Sequence, residues 1–193
     1  MKRLFILASG SGSNAEAIVR HFRPSETIQV VGIGTNNPQA GVIERAKNLG
    51  IPCHTFDRSF FKDEAGLVKQ LLDEKIDLLV LAGFLWLVPE HIIRAFPDRI
   101  LNIHPALLPD FGGKGFYGNR VHEAVLAERR TMSGITIHLV NEHFDEGASV
   151  FQAACHVDKQ DTVESLARKV HALEHRFYPV VIEKFLHPPI SES

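Results

Sequence analysis

The run Leu78-Leu79-Val80-Leu81-Ala82 offers no polar residue to either side of a strand. Alternate side chains of a strand point to opposite faces, so a segment that is apolar at every position has to be covered on both. A parallel sheet with crossover helices on both faces meets that condition. Two other apolar runs, Leu4 to Ala8 and Ile28 to Ile33, are each followed by turn residues and then by apolar residues at helical spacing. Ala15, Ile18, Val19 and Phe22 follow the first, and Val42 to Leu49, closed by Gly50, follows the second. A helical stretch from about Lys62 to Glu74 leads into the Leu78 run, and a further strand ends near His104. This repetition predicts an α/β, Rossmann-like domain with a mostly parallel twisted sheet flanked by helices on both faces. Its ligands are expected beyond the carboxyl ends of the strands.

The second half reads differently. Gly134 to Val140 and Ser149 to Val157 have the pattern of strands joined by the polar turn Asn141 to Gly147, which suits an antiparallel pair. A closing helix is expected from about Thr162, opened by a capping-box-like Asp161-x-x-Glu164 and interrupted at Pro179. Leu166, Val170, Leu173 and Phe177 would be its buried stripe. The 193 residues, 45% of them hydrophobic, are enough for one good core, so a single domain over residues 1–187 with a tail at 188–193 is expected.

Composition removes several function classes. A formal charge of −2 and a pI near 6.6 give no basic footprint for nucleic acid. The apolar run after Met1-Lys2-Arg3 is too short for a secretory signal, and no 18-residue apolar segment exists, so no membrane partner and a cytoplasmic location are expected. Cys53 and Cys155 are far apart and belong to no C-x-x-C or Cys/His ligand cluster, so neither a disulfide framework nor a metal is expected. Monomer and homodimer both remain open.

Three polar segments fall at predicted strand ends. Gly10-Ser11-Gly12-Ser13-Asn14-Ala15 fits the permissive G-x-G-x-x-G/A pattern, in which backbone amides and a helix N-terminus approach an anion. On its own it reads either as a phosphate-binding loop or as a structural tight turn. Thr35, Asn36 and Asn37 stand where a dinucleotide site wants an acidic residue, which argues against NAD. Asn102 and His104, two apart before Pro105, share one face of a strand. An amide donor beside a titratable imidazole suits acyl-group chemistry; the alternative is an ordinary strand end. Asp145 is either a solvated turn residue or, if the fold brings it to His104, the carboxylate that keeps the imidazole protonated. The four glycines between Asp110 and Arg120 suit a mobile cover or an irregular connection. On the last helix His171, Glu174 and Tyr178 lie along one side, facing solvent or a site wall.

Taken together, Ser9-Gly10-Ser11-Gly12-Ser13-Asn14, Leu81-Ala82-Gly83-Phe84, Leu101 to Pro109, Phe144-Asp145-Glu146-Gly147, Glu174-His175 and Tyr178-Pro179 resemble the phosphoribosylglycinamide formyltransferase family. They occur in the family's order and span nearly the whole chain. The resemblance implies a formyltransferase fold and transfer of the formyl group of 10-formyltetrahydrofolate, a co-substrate, to the amine of glycinamide ribonucleotide in purine biosynthesis, without a metal. It implies Asn102, His104 and Asp145 as catalytic residues. Gly12, Ser13, Asn14, His171 and Glu174 would bind the ribonucleotide. Leu85, Trp86, Leu87, Val88 and Asn102 would line the folate pocket, with the turn from Val140 to Asp145 as its other wall. Family members often carry an arginine near the position of Trp86 and another in the region of Lys62 to Glu64 for the folate's acidic end; neither is evident here. The 110–120 loop is longer than the family's common form. Two alternatives share the fold: a formyltetrahydrofolate hydrolase, which usually brings an additional N-terminal domain, and a non-catalytic nucleotide-binding module.

Overall fold

A computed structural model describes residues 1–187, so the expected tail at 188–193 lies outside the described residues. The strands are β1 (Lys2–Leu7), β2 (Ile28–Thr35), β3 (Cys53–Thr55), β4 (Leu78–Leu81), β5 (Ile100–His104), β6 (Met132–Leu139) and β7 (Ser149–His156). The helices are α1 (Ser13–Phe22), α2 (Val42–Leu49), α3 (Arg58–Lys62), α4 (Leu67–Asp73), α5 (Glu90–Ala95), α6 (Asn119–Ala127) and α7 (Val163–Leu186). All seven strands form one sheet in the order β3-β2-β1-β4-β5-β6-β7. The first five run parallel, whereas β6 is antiparallel to β5 and β7 to β6.

The wholly apolar β4 is buried at all four positions, because the sheet is covered on both sides. Alternation along β1 divides the core. Leu4 and Ile6 face a cluster with Ile18, Phe22, Val42, Leu166 and Val170 from α1, α2 and α7. Phe5 and Leu7 face Phe61, Leu67, Leu71 and Ile92 from α3, α4 and α5, and Phe96 just after α5. The chain moves outward from β1 to β2 on one side and from β1 to β4 on the other. That reversal opens a crevice past the carboxyl ends of β1 and β4.

Several expected boundaries change. In place of the helix expected over 62–74, α3 stops at Lys62, where Asp63 turns extended, and α4 starts only at Leu67; the turn between them brings the Phe60 carbonyl so close to Gly66 that a Cβ there would lie 2.0 Å from it. The last helix is not interrupted at Pro179 but runs to Leu186, with the proline itself buried. Its capping box lies one residue later than expected: Thr162 accepts from Ser165 N–H, and the Ser165 hydroxyl accepts from Thr162 N–H. Asp161 accepts instead from the Ser165 hydroxyl and Lys169. The glycine-rich segment ends in α6, which starts at Asn119.

Candidate active site

The crevice holds a cavity of about 650 Å³. The β1 end brings the glycine loop to it, β4 brings Ala82 to Val88, β5 brings Asn102 and His104, the β6–β7 turn brings Asp145, and α7 brings His171 and Glu174. Every site residue expected from the sequence therefore lines one cavity.

At its floor, β5 pairs in register with β6, so Asn102 lies opposite His138 and His104 opposite Thr136. Asp145, at φ 58°, turns its carboxylate toward both imidazoles: Oδ2 is 3.4 Å from His104 Nδ1, and Oδ1 is 3.5 Å from His138 Nε2. His104 Nε2 lies 2.7 Å from the Phe111 carbonyl, which only accepts, so this nitrogen carries a proton. Nδ1 is then the nitrogen that faces Asp145, and protonating it creates a second N–H aimed at the carboxylate. The His138 Nδ1 donates to Leu139 O at 2.8 Å, so its Nε2, between Asn102 Nδ2 at 3.1 Å and Asp145 Oδ1 at 3.5 Å, accepts from the amide when the ring is neutral and donates to the carboxylate when it is protonated. The other Asn102 amide hydrogen meets Asp145 Oδ1 at 3.3 Å. An incoming oxyanion competes with these two long bonds for the amide donor.

Burial lowers the pKa of His104, opposed by the charge of Asp145 and the Phe111 carbonyl. Burial pushes Asp145 up, but His138, the charge of His104 and the Gly113 N–H outweigh it and hold the carboxyl below its usual range. The Gly113 N–H donates to Asp145 Oδ2 at 3.0 Å.

One end of the cavity is formed by the glycine loop and the start of α1. Gly12, at φ 78°, turns the chain into α1 with no side chain capping the helix, so its first-turn N–H groups are left facing the loop. Asn14 Nδ2 donates to Glu174 Oε2 at 3.0 Å, while buried Asn14 Oδ1 has no donor among the described residues. Burial pushes Glu174 up, against the Asn14 hydrogen bond and the His171 charge. His171 Nε2 stands 3.9 Å from Glu174 Oε2 at the cavity's edge.

The other end is apolar and aromatic. Phe84 and Trp86 meet Phe56 and Phe61 edge-on or tilted at 5.3 to 6.3 Å between centroids. The Leu85 N–H donates to Ser9 Oγ at 3.0 Å, tying this segment to the glycine loop. Leu85 and Leu87 are exposed, whereas Val88 is buried. Val140, His143, Phe144 and Asp145 complete the wall across from it.

Three lining residues were not singled out from the sequence. His138 becomes recognisable only through the β5–β6 register. His122, buried on α6 with Nδ1 unpartnered among the described residues, comes from a segment with no predicted helix. Arg58 on α3 reaches across to lie 5.4 Å over the Trp86 ring, placing a guanidinium at the aromatic end. Among the described residues, no group of three or more His, Cys, Asp and Glu is arranged to hold a metal.

Comparison with known proteins gives the family and the fold. The family described as formyl transferase matches residues 2–182. The chain is 43% identical over 187 residues to the chloroplastic phosphoribosylglycinamide formyltransferase of Arabidopsis thaliana, covering 94% of itself and 64% of that protein. It spans 60% of a similar protein from Vigna unguiculata, so it covers under two thirds of these plant relatives. It is 35% identical to phosphoribosylglycinamide formyltransferase of Bacillus subtilis, covering 96% of itself and 95% of the relative. Among solved structures, glycinamide ribonucleotide transformylase 1 from Symbiobacterium toebii superposes with a TM-score of 0.87 at 36% identity, over 96% of this chain and 87% of that one. Phosphoribosylglycinamide formyltransferase from Bacillus halodurans superposes with a TM-score of 0.87 at 37% identity, over 97% and 96%.

Proposed function

The chain belongs to the formyl transferase family, and we propose that it transfers the formyl group of 10-formyltetrahydrofolate to the primary amine of glycinamide ribonucleotide, yielding formylglycinamide ribonucleotide and tetrahydrofolate. One observation carries the reading: Asn102, His104 and Asp145 meet at the floor of a cavity with the uncapped start of α1 at one end and an aromatic wall at the other.

In this reading the ribonucleotide's phosphate meets the first-turn N–H groups of α1 at Gly12, Ser13 and Asn14. Its hydroxyl or amine donors reach Asn14 Oδ1 and Glu174, with His171 beside them. The donor's ring system lies along Leu85 to Val88 against Val140 to Asp145. Arg58, at the same end, supplies a cation for the folate's carboxylates in place of the two arginines the family often carries.

The amine attacks the formyl carbon and forms a C–N bond while the formyl oxygen becomes an oxyanion. The Asn102 amide and the positive charge of the His104 imidazolium stabilise that charge. The C–N bond to the folate then breaks, and His104 donates a proton to the departing nitrogen. Asp145 opposes the effect of burial and so favours the charged form of His104, and it relays the proton lost by the attacking amine. The nucleophile is the substrate's own amine, so no covalent enzyme intermediate forms.

The relatives' names support an amine rather than water as the acceptor. Among the described residues no helix is long and apolar enough to cross a membrane. The cytoplasm is our reading of the location, although the plant relatives are named chloroplastic. We also read residues 1–187 as one catalytic domain.

The test supplies 10-formyltetrahydrofolate with and without glycinamide ribonucleotide and follows tetrahydrofolate. Release that requires the ribonucleotide is expected. Equal release without it would assign the chain as a hydrolase.

A further inference from the structure

Phe111 is the residue whose carbonyl orients His104, and it stands at φ 56°, in the left-handed region that a bulky side chain adopts only when its surroundings hold it there. Two residues further on, Gly113 bonds Asp145. One short turn therefore sets the orientation of both halves of the His104–Asp145 pair, and what fixes that turn bears on the chemistry.

The turn is held from outside the active-site cavity. Arg130, just before β6, places its guanidinium 5.3 Å over the Phe111 ring and bonds the neighbouring Asp110 carboxylate at 3.0 Å. Glu128 accepts from Arg130 Nε at 3.0 Å and aims the guanidinium. The ring also packs against the edge of the main core, beside a separate cavity of about 180 Å³ lined by Leu107, Val125 and Ser133, with Arg130 as part of its wall. The Phe116 ring meets Phe111 edge-on at 6.2 Å, but it belongs to the glycine-rich segment that follows. Arg130 thus contacts two successive residues of the turn and is absent from the lining of the large cavity.

We propose that Arg130 is a positioning residue for the transfer: by holding Asp110 and the Phe111 ring it fixes the left-handed turn whose carbonyl orients His104. The inference rests on the proposed reaction for its kinetic readout alone. Neutral His104 carries its proton on Nε2 only while the Phe111 carbonyl stays in place. Releasing the turn lets the ring take the other tautomer or rotate away from Asp145.

The experiment compares wild type with R130A, R130K, F111G and the F111G/R130A double variant. In R130A, kcat is expected to fall about tenfold to a hundredfold, the loss typical of a misplaced catalytic group, with both KM values nearly unchanged and the pH profile of kcat displaced. R130K keeps the Asp110 pair and should restore part of the rate. Nitrogen-15 spectra of the substrate-free protein should show His104 protonated at Nε2 in wild type and a tautomer mixture in R130A. These spectra need no substrate, so they remain readable even if the proposed reaction is wrong. Glycine adopts positive φ freely and removes the ring, so adding R130A to F111G should cost less than R130A does in wild type, the remainder reporting the Asp110 pair. Two results would overturn the proposal: R130A with wild-type kcat per folded molecule and unchanged His104 spectra, whatever its Tm, or full additivity of R130A with F111G.

Discussion

Asp145 takes a hydrogen bond from Gly113, another from Asn102, and faces two imidazoles. These partners keep it ionised, and its charge opposes the lowering of His104 caused by burial. Replacing Asp145 by asparagine removes that opposition, so the His104 pKa moves further down and the imidazolium is scarcer at neutral pH. D145N should bind both substrates within a few-fold of wild type and lose about 10²–10⁴ of kcat, the range for a disrupted acid–base group. Substrate titrations and a His104 titration by NMR check both parts. Unchanged turnover would remove Asp145 from the mechanism. The sequence showed Asn102, His104 and Asp145 as the right kinds of residue. It could not show their meeting from spacing alone, because the encounter depends on the β5–β6 register and on the return of the β6–β7 turn. His138 was overlooked for the same reason: within β6 it is a third polar residue after Ser133 and Thr136, and its partners come from β5 and from the turn.

At the scale of elements, α1 shows how tightly the site is tied to the fold. Gly12 has φ 78°, and a Cβ there would lie 2.5 Å from Val42 Cγ2 and 2.8 Å from Val42 Cα at the start of α2. Two causes therefore oppose a side chain, backbone strain and a clash with a helix that cannot easily retreat. G12A should lose about 1–3 kcal/mol of stability. It should also weaken ribonucleotide binding at least tenfold, about 1.4 kcal/mol, while folate binding changes much less. Calorimetry with each substrate separates the two, and equal losses would refute the assigned anion site. The β1–α1 and β2–α2 units were legible because apolar runs, glycines and helical spacing all coincide. β3 and α3 were not: three and five residues are too few to establish a period. α6 was hidden behind glycine-rich sequence, and its buried Val121, His122 and Val125 form only a short stripe. Pro179 misled in the other direction, since packing of a 24-residue helix against the sheet outweighs the hydrogen bond the proline removes.

Across the whole molecule, α7 joins the sheet to the site. Tyr178, fully buried, shares its one hydroxyl proton between the carbonyls of Leu81 and Leu101, each at 3.0 Å, next to Ala82 after β4 and Asn102 within β5. Burial, reinforced by Glu174, holds its pKa well above 10, so the hydroxyl stays a donor. Opposite it, α6 buries His122 with Nδ1 unpartnered among the described residues. Burial, with the charges of His171 and His104, lowers its pKa from 6.5 to about 4. The folded state therefore binds this proton less readily than the unfolded chain. The associated stability is fully present above about pH 6.5 and is lost as the pH falls toward 4. A shift of that size corresponds to roughly 3 kcal/mol. His104 and Asp145 are also lowered and act in the same direction, so acid should weaken the fold around the site first. H122Q removes one titrating group and leaves the others. Urea unfolding at pH 7, 5.5 and 4.5 should show H122Q less stable than wild type at pH 7 but losing less stability on acidification. Parallel losses in the two proteins would mean that His122 does not carry this part of the pH dependence.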